Sequence, residues 1–200
     1  MPDGPRRDIA NRHIGRPDRL PPGQTRAKNW PVLHIGAPPQ YDMKTWMLSI
    51  GGTVEQPVTL TWDQFMALPQ TTVHADFHCV TTWSTFDNTW LGVSFRDIIT
   101  LVKPTRESHF VRMQAEGVYD SSLPLQAMLD EDVLLCHTWN GAPLTPEHGG
   151  PLRTLIPKRY AWKSVKWLRA LEFLAADKLG YWEIRGYSNT ADPWTNDRFA

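Results

Sequence analysis

Seventeen prolines in 200 residues constrain this chain more than any other feature. Each proline fixes its own φ and withholds a backbone donor, so it stops helices and is confined to turns and strand edges. Ten tryptophans accompany them. Together they predict many short elements joined by rigid turns, around a core or pocket with large flat walls. The length suits about one domain. A compact chain of this size buries roughly 70% of its extended surface, so its core needs no staples. A hydrophobic share of 41% excludes a wholly disordered or fibrous chain.

Charge and cysteine usage narrow the class. Lys plus Arg and Asp plus Glu both number 21, giving a formal net charge of +0. Without a basic excess there is no electrostatic footprint for duplex nucleic acid or an anionic membrane, and no nucleic-acid partner is expected. Cys79 and Cys136 make no disulfide framework and fit a reducing compartment. The apolar runs at 132–136 and 168–176 fall far short of the roughly 18–20 residues of a membrane span. Arg6-Arg7 has no apolar stretch behind it to form an export signal. A cytoplasmic location without a direct membrane span is expected.

Residues 1–29 carry Arg6, Arg7, Arg12, Arg16, Arg19, Arg26 and Lys28 with almost no apolar periodicity. They read as an extended, basic, Pro-rich arm that wraps the domain or stays mobile. The domain proper takes residues 30–200. Short alternating runs predict strands at 45–50, 57–60, 72–80, 109–113, 133–137, 153–156 and 171–174. Thr61-Trp-Asp-Gln64 is a capping box opening a short helix that stops before Pro69. Ser94 caps a second helix bearing Phe95, Ile98, Ile99 and Val102. The pattern is mixed α+β and strand-rich, without a regular βαβ rhythm.

Several residue groups could carry chemistry. Cys79 ends a strand on its apolar side and could pack as a small hydrophobe. Its position before the segment Trp83–Trp90, read as a loop, also suits a thiolate that is a soft metal ligand. His78-Cys79 and Cys136-His137 suggest a zinc set, but sequence neighbours on a strand diverge and paired C-x-x-C spacing is absent. His74-x-Asp76 with a distal His148 could form a two-His, one-carboxylate iron(II) site, with Arg159 holding a 2-oxo acid. Arg153, Lys158, Arg159, Lys163 and Lys166, interleaved with aromatics and preceded by Gly149-Gly150, are either a solvated basic face or a site for a flat anionic ligand. The glycines there would let backbone approach that ligand. The tryptophans also allow a non-catalytic module that stacks on sugars or other flat partners.

Taken in order, the motifs resemble a known family. Asp76-Phe-His-Cys-Val-Thr-Thr-Trp-Ser84 with Trp90-Leu-Gly-Val93 looks like the cysteine loop of sulfite-oxidase-type molybdopterin enzymes. The closest likeness is to the small bacterial sulfite-oxidase-like oxidoreductases and the catalytic subunit of methionine-sulfoxide reductase. The likeness continues through His148-Gly-Gly-Pro-Leu-Arg153, Lys163-Ser-Val-Lys-Trp167, Gly180-Tyr-Trp-Glu-Ile-Arg-Gly-Tyr-Ser-Asn189 and Asp192-Pro-Trp194. Arg19-Leu-Pro-Pro-Gly-Gln24 in the arm is similar to the small members.

This resemblance implies a strand-rich sulfite-oxidase-type molybdopterin-binding fold with short helices. It implies one molybdopterin with molybdenum on Cys79, and two-electron oxygen-atom transfer on a small S- or N-containing substrate. Arg153, Lys166 and His148 would hold the pterin, Ser164 and Val165 would offer backbone contacts, and Leu33 and His34 would touch the cofactor. Asp76, His78, Tyr119 and Asp120 are candidate proton donors or acceptors near the metal. Electrons would pass to or from a separate haem, flavin or ferredoxin-type partner. The run Val80-Thr-Thr-Trp83 lacks the arginines of sulfite oxidases, Thr81 stands where methionine-sulfoxide reductases have an acid, and Ala115 replaces a pterin-contacting threonine.

Overall fold

The computed structural model of the chain describes residues 7–11 and 14–200. Among these residues twelve strands and three short α-helices run in the order β1 (Arg7–Ala10), β2 (Thr25–Arg26), β3 (Met47–Gly52), β4 (Val58–Thr61), α1 (Trp62–Met66), β5 (Gln70–His78), β6 (Trp83–Ser94), α2 (Phe95–Val102), β7 (Phe110–Ala115), β8 (Asp120–Pro124), α3 (Leu125–Met128), β9 (Leu134–Trp139), β10 (Ala142–Pro143), β11 (Arg153–Leu155) and β12 (Leu168–Leu174). They form two mixed sheets. The seven-stranded sheet has the order β1-β5-β6-β9-β10, with β11 on β9 and β2 on β6; the five-stranded sheet runs β4-β3-β12-β7-β8. This is the strand-rich α+β architecture that the sequence pattern predicts.

Both expected helix starts are present for the expected reason. Thr61 Oγ1 accepts from the Gln64 amide at 3.3 Å, while Gln64 Oε1 accepts from the Thr61 amide at 2.9 Å. Ser94 Oγ accepts from the Arg96 amide at 3.3 Å and opens α2. The apolar face of α2 drops Phe95, Ile98 and Val102 into the larger core, where they meet Leu48, Ile50, Val111, Met113, Leu171 and Phe173 of the five-stranded sheet. A second core holds Trp30, Val73, Phe77, Trp90, Cys136 and Leu155 on the seven-stranded sheet. Gly92 lies where β6 crosses β9, and a Cβ there would sit 2.1 Å from the Leu135 carbonyl oxygen, so only glycine lets these strands meet.

The segment expected as a loop, Trp83–Trp90, is instead most of β6. Its polar residues gave it a turn-like composition, yet Ser84, Thr85 and Asn88 are buried. Asn88 is fully employed there: its Nδ2 donates to the carbonyls of Ala75 at 3.2 Å and Thr85 at 3.0 Å, and its Oδ1 accepts from Trp139 Nε1 at 2.9 Å. Tertiary hydrogen bonding therefore overrides local preference.

The face of β5 opposite Val73, Ala75, Phe77 and Cys79 does not stay exposed: Asp76 and His78 on it are buried. The pairing steps from Ala75↔Asn88 to Phe77↔Thr85, so Phe86 and Asp87 together oppose Asp76 in a β-bulge, with Asp87 at φ 57°. The bulge turns Asp76 inward, where Arg19 Nε donates to its Oδ2 at 2.7 Å and the Asp87 amide donates to its Oδ1 at 3.0 Å. Arg19 also reaches Asp87 Oδ1 at 2.8 Å and lies over the Phe86 ring. Asp76 is thus the anchor of the arm rather than a free proton donor. Over its described positions the arm wraps the domain, with β1 parallel to β5 and β2 parallel to β6; Arg6 and Arg12 lie outside the described residues.

Removing Arg19 leaves a buried carboxylate without its cation, which is costly. Arg19→Ala is expected to lower stability by about 3 kcal/mol in equilibrium urea unfolding. The Arg19→Ala/Asp76→Ala pair is expected to lose less than the sum of its single variants. Additive losses would show that the clamp is not one interaction.

Candidate active site

Cys79 follows the last residue of β5 in a tight turn to β6. Its amide donates to the Trp83 carbonyl at 2.9 Å, and its own carbonyl accepts from the Thr82 amide at 3.0 Å. Thr82 closes the turn in the left-handed region at φ 74°. The thiol is buried, and its Sγ lies 3.2 Å from Thr81 Oγ1. Burial pushes the Cys79 pKa up, while the Thr81 hydrogen bond and the Lys166 charge oppose that rise.

The thiol faces a cavity of about 330 Å³ whose wall also includes Trp30, Leu33, His34, Phe77, Val80, Thr81, Trp83, Tyr119, Arg153, Trp162, Ser164, Lys166, Trp167, Trp182 and Tyr187. Its only charged wall residues among those described are Arg153 and Lys166. This sorts the five cations of the basic segment. Lys158 pairs with Asp130 at 2.8 Å, Arg159 lies 4.0 Å from Asp192, and Lys163 pairs with Glu183. Arg153 and Lys166 make no ion pair among the described residues and bond only to neutral carbonyls. Arg153 donates to His148 and Ser164 oxygens at 2.9 Å each and lies over the rings of Trp30 and Phe77. Lys166 Nζ donates to the Leu33 carbonyl at 2.7 Å and the Glu147 carbonyl at 2.6 Å. Burial pulls Arg153 down to about 10; burial and the Arg153 charge pull Lys166 down to about 7. Trp83 Nε1, also in the wall, is buried without a hydrogen-bond partner among the described residues.

Other expected site residues take different places. His78 is buried behind the turn, with Nδ1 2.8 Å from Ser84 Oγ, and is not part of the cavity wall; strand alternation sends it away from the Cys79 side. Asp120 is held by Arg112, whose Nε donates to its Oδ2 at 2.7 Å, also outside the wall. Tyr119 does line the cavity, but its hydroxyl donates to the Trp162 carbonyl at 2.6 Å, and burial pushes its pKa well up. Val165 sits in the larger core with its amide on Thr154 Oγ1 and its carbonyl on the Thr154 amide, so it has no backbone group to offer. His148 stacks on Trp30 at 3.9 Å, and burial lowers its pKa to about 4, leaving a neutral ring. Leu33, His34 and Ser164 line the cavity. Gly149 admits a protein neighbour rather than a ligand: a Cβ there would lie 2.9 Å from Lys166 Cβ.

The alternative metal sets do not assemble. His74 pairs with Asp8 at 2.9 Å, Asp76 with Arg19, and His148 with Trp30. Cys136 is enclosed in the second core, where burial raises its thiol to about 12. Among the described residues no group of three or more His, Cys, Asp or Glu side chains is placed to hold a metal ion. The aromatic wall of Trp83, Trp162, Trp182 and Tyr187 falls within segments singled out in the sequence, but nothing there marked these rings as lining one cavity.

Comparison with known proteins agrees with this geometry. A family model described as the oxidoreductase molybdopterin binding domain matches residues 34–182. The uncharacterized oxidoreductase YuiH of Bacillus subtilis is 43% identical over 182 residues, covering 90% of this chain and 92% of that protein. The catalytic subunit MsrP of the protein-methionine-sulfoxide reductase of Campylobacter jejuni is 26% identical over 160 residues, 72% of this chain and 54% of that one. The chain spans only 21–23% of two fungal nitrate reductases it also matches. The sulfane dehydrogenase SoxCD from Paracoccus pantotrophus shares the fold with a TM-score of 0.66 at 22% identity, over 72% of this chain and 42% of that chain.

Lys166 gives the cavity a pH signature. Its pKa is about 7 in the fold and roughly 10.4 in an unfolded chain. Between those values the unfolded state binds more protons, so stability of the ligand-free chain rises with pH across that window. Lys166→Met is expected to flatten the rise in urea midpoints measured from pH 6.5 to 10. An unchanged slope would mean that Lys166 keeps ordinary basicity.

Proposed function

The chain belongs to the oxidoreductase molybdopterin binding domain family, and from that premise we propose that its cavity holds a single molybdopterin with molybdenum on the Cys79 thiolate. The observation that carries this reading is the pair of uncompensated cations, Arg153 and Lys166, in the wall of the cavity that Cys79 faces. A buried cation without a carboxylate is costly unless an anion completes it, and a phosphate-bearing ligand supplies one. A thiolate is a soft donor suited to such a metal, and the flat walls of Trp30, Trp83 and Trp167 suit a ring system. The residues present therefore fit the group.

When bound, the cofactor supplies the two-electron redox change that accompanies transfer of an oxygen atom to or from a small S- or N-containing substrate. Cys79 gives up its proton on ligation, and its nearness to Lys166 and Thr81 favours the thiolate. Arg153 and Lys166 neutralise the phosphate, and the buried Trp83 indole N–H offers a donor to cofactor or substrate. Val80, Trp182 and Tyr187 pack with Trp162 into one uncharged wall. With both cavity cations assigned to the cofactor, that wall favours a neutral S- or N-oxide, or its reduced form, over an oxyanion. Electrons are exchanged with a separate haem, flavin or ferredoxin-type carrier. No described helix is long and apolar enough to cross a membrane, and a cytoplasmic site of action is part of the proposal. The arm at 1–29 and the oxidoreductase domain at 30–200 are its two parts.

Chain produced in a host able to make molybdopterin is expected to carry molybdenum and pterin in equal, stoichiometric amounts by plasma mass spectrometry and pterin fluorescence. Cys79→Ser is expected to lose activity and most of its metal while keeping its thermal transition; a fully active Cys79→Ser would sink the assignment. On the loaded enzyme, reduced-dye turnover is expected with dialkyl sulfoxides or amine N-oxides and not with nitrate. Preferential turnover of nitrate with the reduced dye, or of sulfite with an oxidised dye as electron acceptor, would refute the neutral-substrate reading while leaving the cofactor assignment standing.

A further inference from the structure

The block Arg19-Leu-Pro-Pro-Gly-Gln24 contributes nothing to the cavity wall, yet it ends directly behind the Cys79 turn. Arg19 fastens it to the bulge at Asp76 and Asp87. The Gln24 amide donates to the Pro21 carbonyl at 3.1 Å, and Gly23 at φ 71° supplies the turn that L side chains resist. The chain thereby delivers Gln24, only 6% exposed, between the two arms of the hairpin. Gln24 Nε2 donates to the Cys79 carbonyl at 3.1 Å, and Gln24 Oε1 accepts from Ser84 Oγ at 3.2 Å. Beyond it the Thr25 amide donates to the Thr82 carbonyl at 2.8 Å and the Ala27 amide to the Ser84 carbonyl at 2.9 Å. Since the single Ser84 hydroxyl proton goes to Gln24, Ser84 accepts from His78 Nδ1.

We propose that Gln24 is a positioning residue for Cys79: its amide braces the cysteine turn across the hairpin, so that the N-terminal strap sets where the thiolate stands. The proposal rests on the reading that Cys79 carries the metal. The turn itself holds Cys79 through two backbone bonds, from the Thr82 amide to its carbonyl and from its own amide to the Trp83 carbonyl, and Thr82 sits in a backbone region unfavourable to a β-branched residue. An external brace is what keeps such a turn in one conformation. Groups that orient a metal ligand from behind typically matter about 10–100-fold for metal retention.

The test compares wild type, Gln24→Ala and Gln24→Glu, with Arg7→Ala as a control that loosens the arm far from the turn. In the ligand-free chain, the iodoacetamide alkylation rate of Cys79 is read by peptide mass spectrometry. In the loaded chain, molybdenum content and the visible thiolate-to-metal absorption are read. Both Gln24 variants are expected to alkylate faster than wild type, to bind molybdenum roughly tenfold more weakly and to shift the absorption, while Arg7→Ala matches wild type. The alkylation rate decides: a Gln24→Ala chain reacting at the wild-type rate overturns the proposal whatever its metal content. Should Gln24→Ala fail to fold, Ser84→Ala, which cuts one end of the brace, carries the same expectation and the same refutation. A wild-type chain without molybdenum would defeat the proposed function, and the alkylation comparison would still decide the brace.

Discussion

Arg153 is a full positive charge enclosed in protein, and the surrounding structure is organised around tolerating it. Its guanidinium is 2% exposed and bonds to carbonyls of His148 and Ser164, with Trp30 and Phe77 rings against its faces. Neutral oxygens and ring quadrupoles soften the desolvation penalty without cancelling it. Burial lowers the Arg153 pKa to about 10, and no carboxylate among the described residues pairs with it to offset that cost. Lys166, lowered by burial and by Arg153 itself, repeats the signature on the same cavity. The cavity is therefore electrostatically incomplete in a way that an anion corrects.

Lys163 provides the contrast. It is as deeply buried as Arg153, but Glu183 stands against it, and Ser122 and Asn189 take its remaining protons. Glu183 in turn accepts from Ser121 Oγ and Trp162 Nε1, so this pair fastens the C-terminal segment to a cavity wall. Two deeply buried cations ten residues apart, Arg153 and Lys163, thus have different roles, decided by whether a carboxylate arrives. Asp130, Asp192 and Glu183 come from other parts of the chain, which is why the sequence shows five cations in one segment but not which two are left for a ligand.

The same limit explains the rest of what was legible. The capping box at Thr61, the Ser94 cap, the α2 apolar face and the mixed strand pattern are local and are present as the sequence predicts. The ordered motifs around Cys79, Arg153 and Lys166 point to the family. Asp76 and His78 look like reactive neighbours of Cys79 in sequence. A bulge spends Asp76 on Arg19, and strand alternation spends His78 on Ser84. Those outcomes depend on Arg19, Asp87 and Ser84, and only the folded pairing brings them together. Gly149-Gly150 misleads for a related reason: the close approach they permit is by Lys166 and the Leu144 carbonyl.

The N-terminal stretch ties these parts into one device. After Gln24 the same chain carries Trp30 onto His148 and Arg153, then places the Leu33 carbonyl on Lys166. Residues 24–33 therefore touch the cysteine turn and both uncompensated cations in succession. Lys166 has three protons to donate when charged, and the carbonyls of Leu33 and Glu147 take two. An anion that restores its charge can take the third without displacing the Leu33 segment. Ligand binding and the Lys166 bond to the Leu33 carbonyl then reinforce one another, since each is served by a fully protonated Lys166.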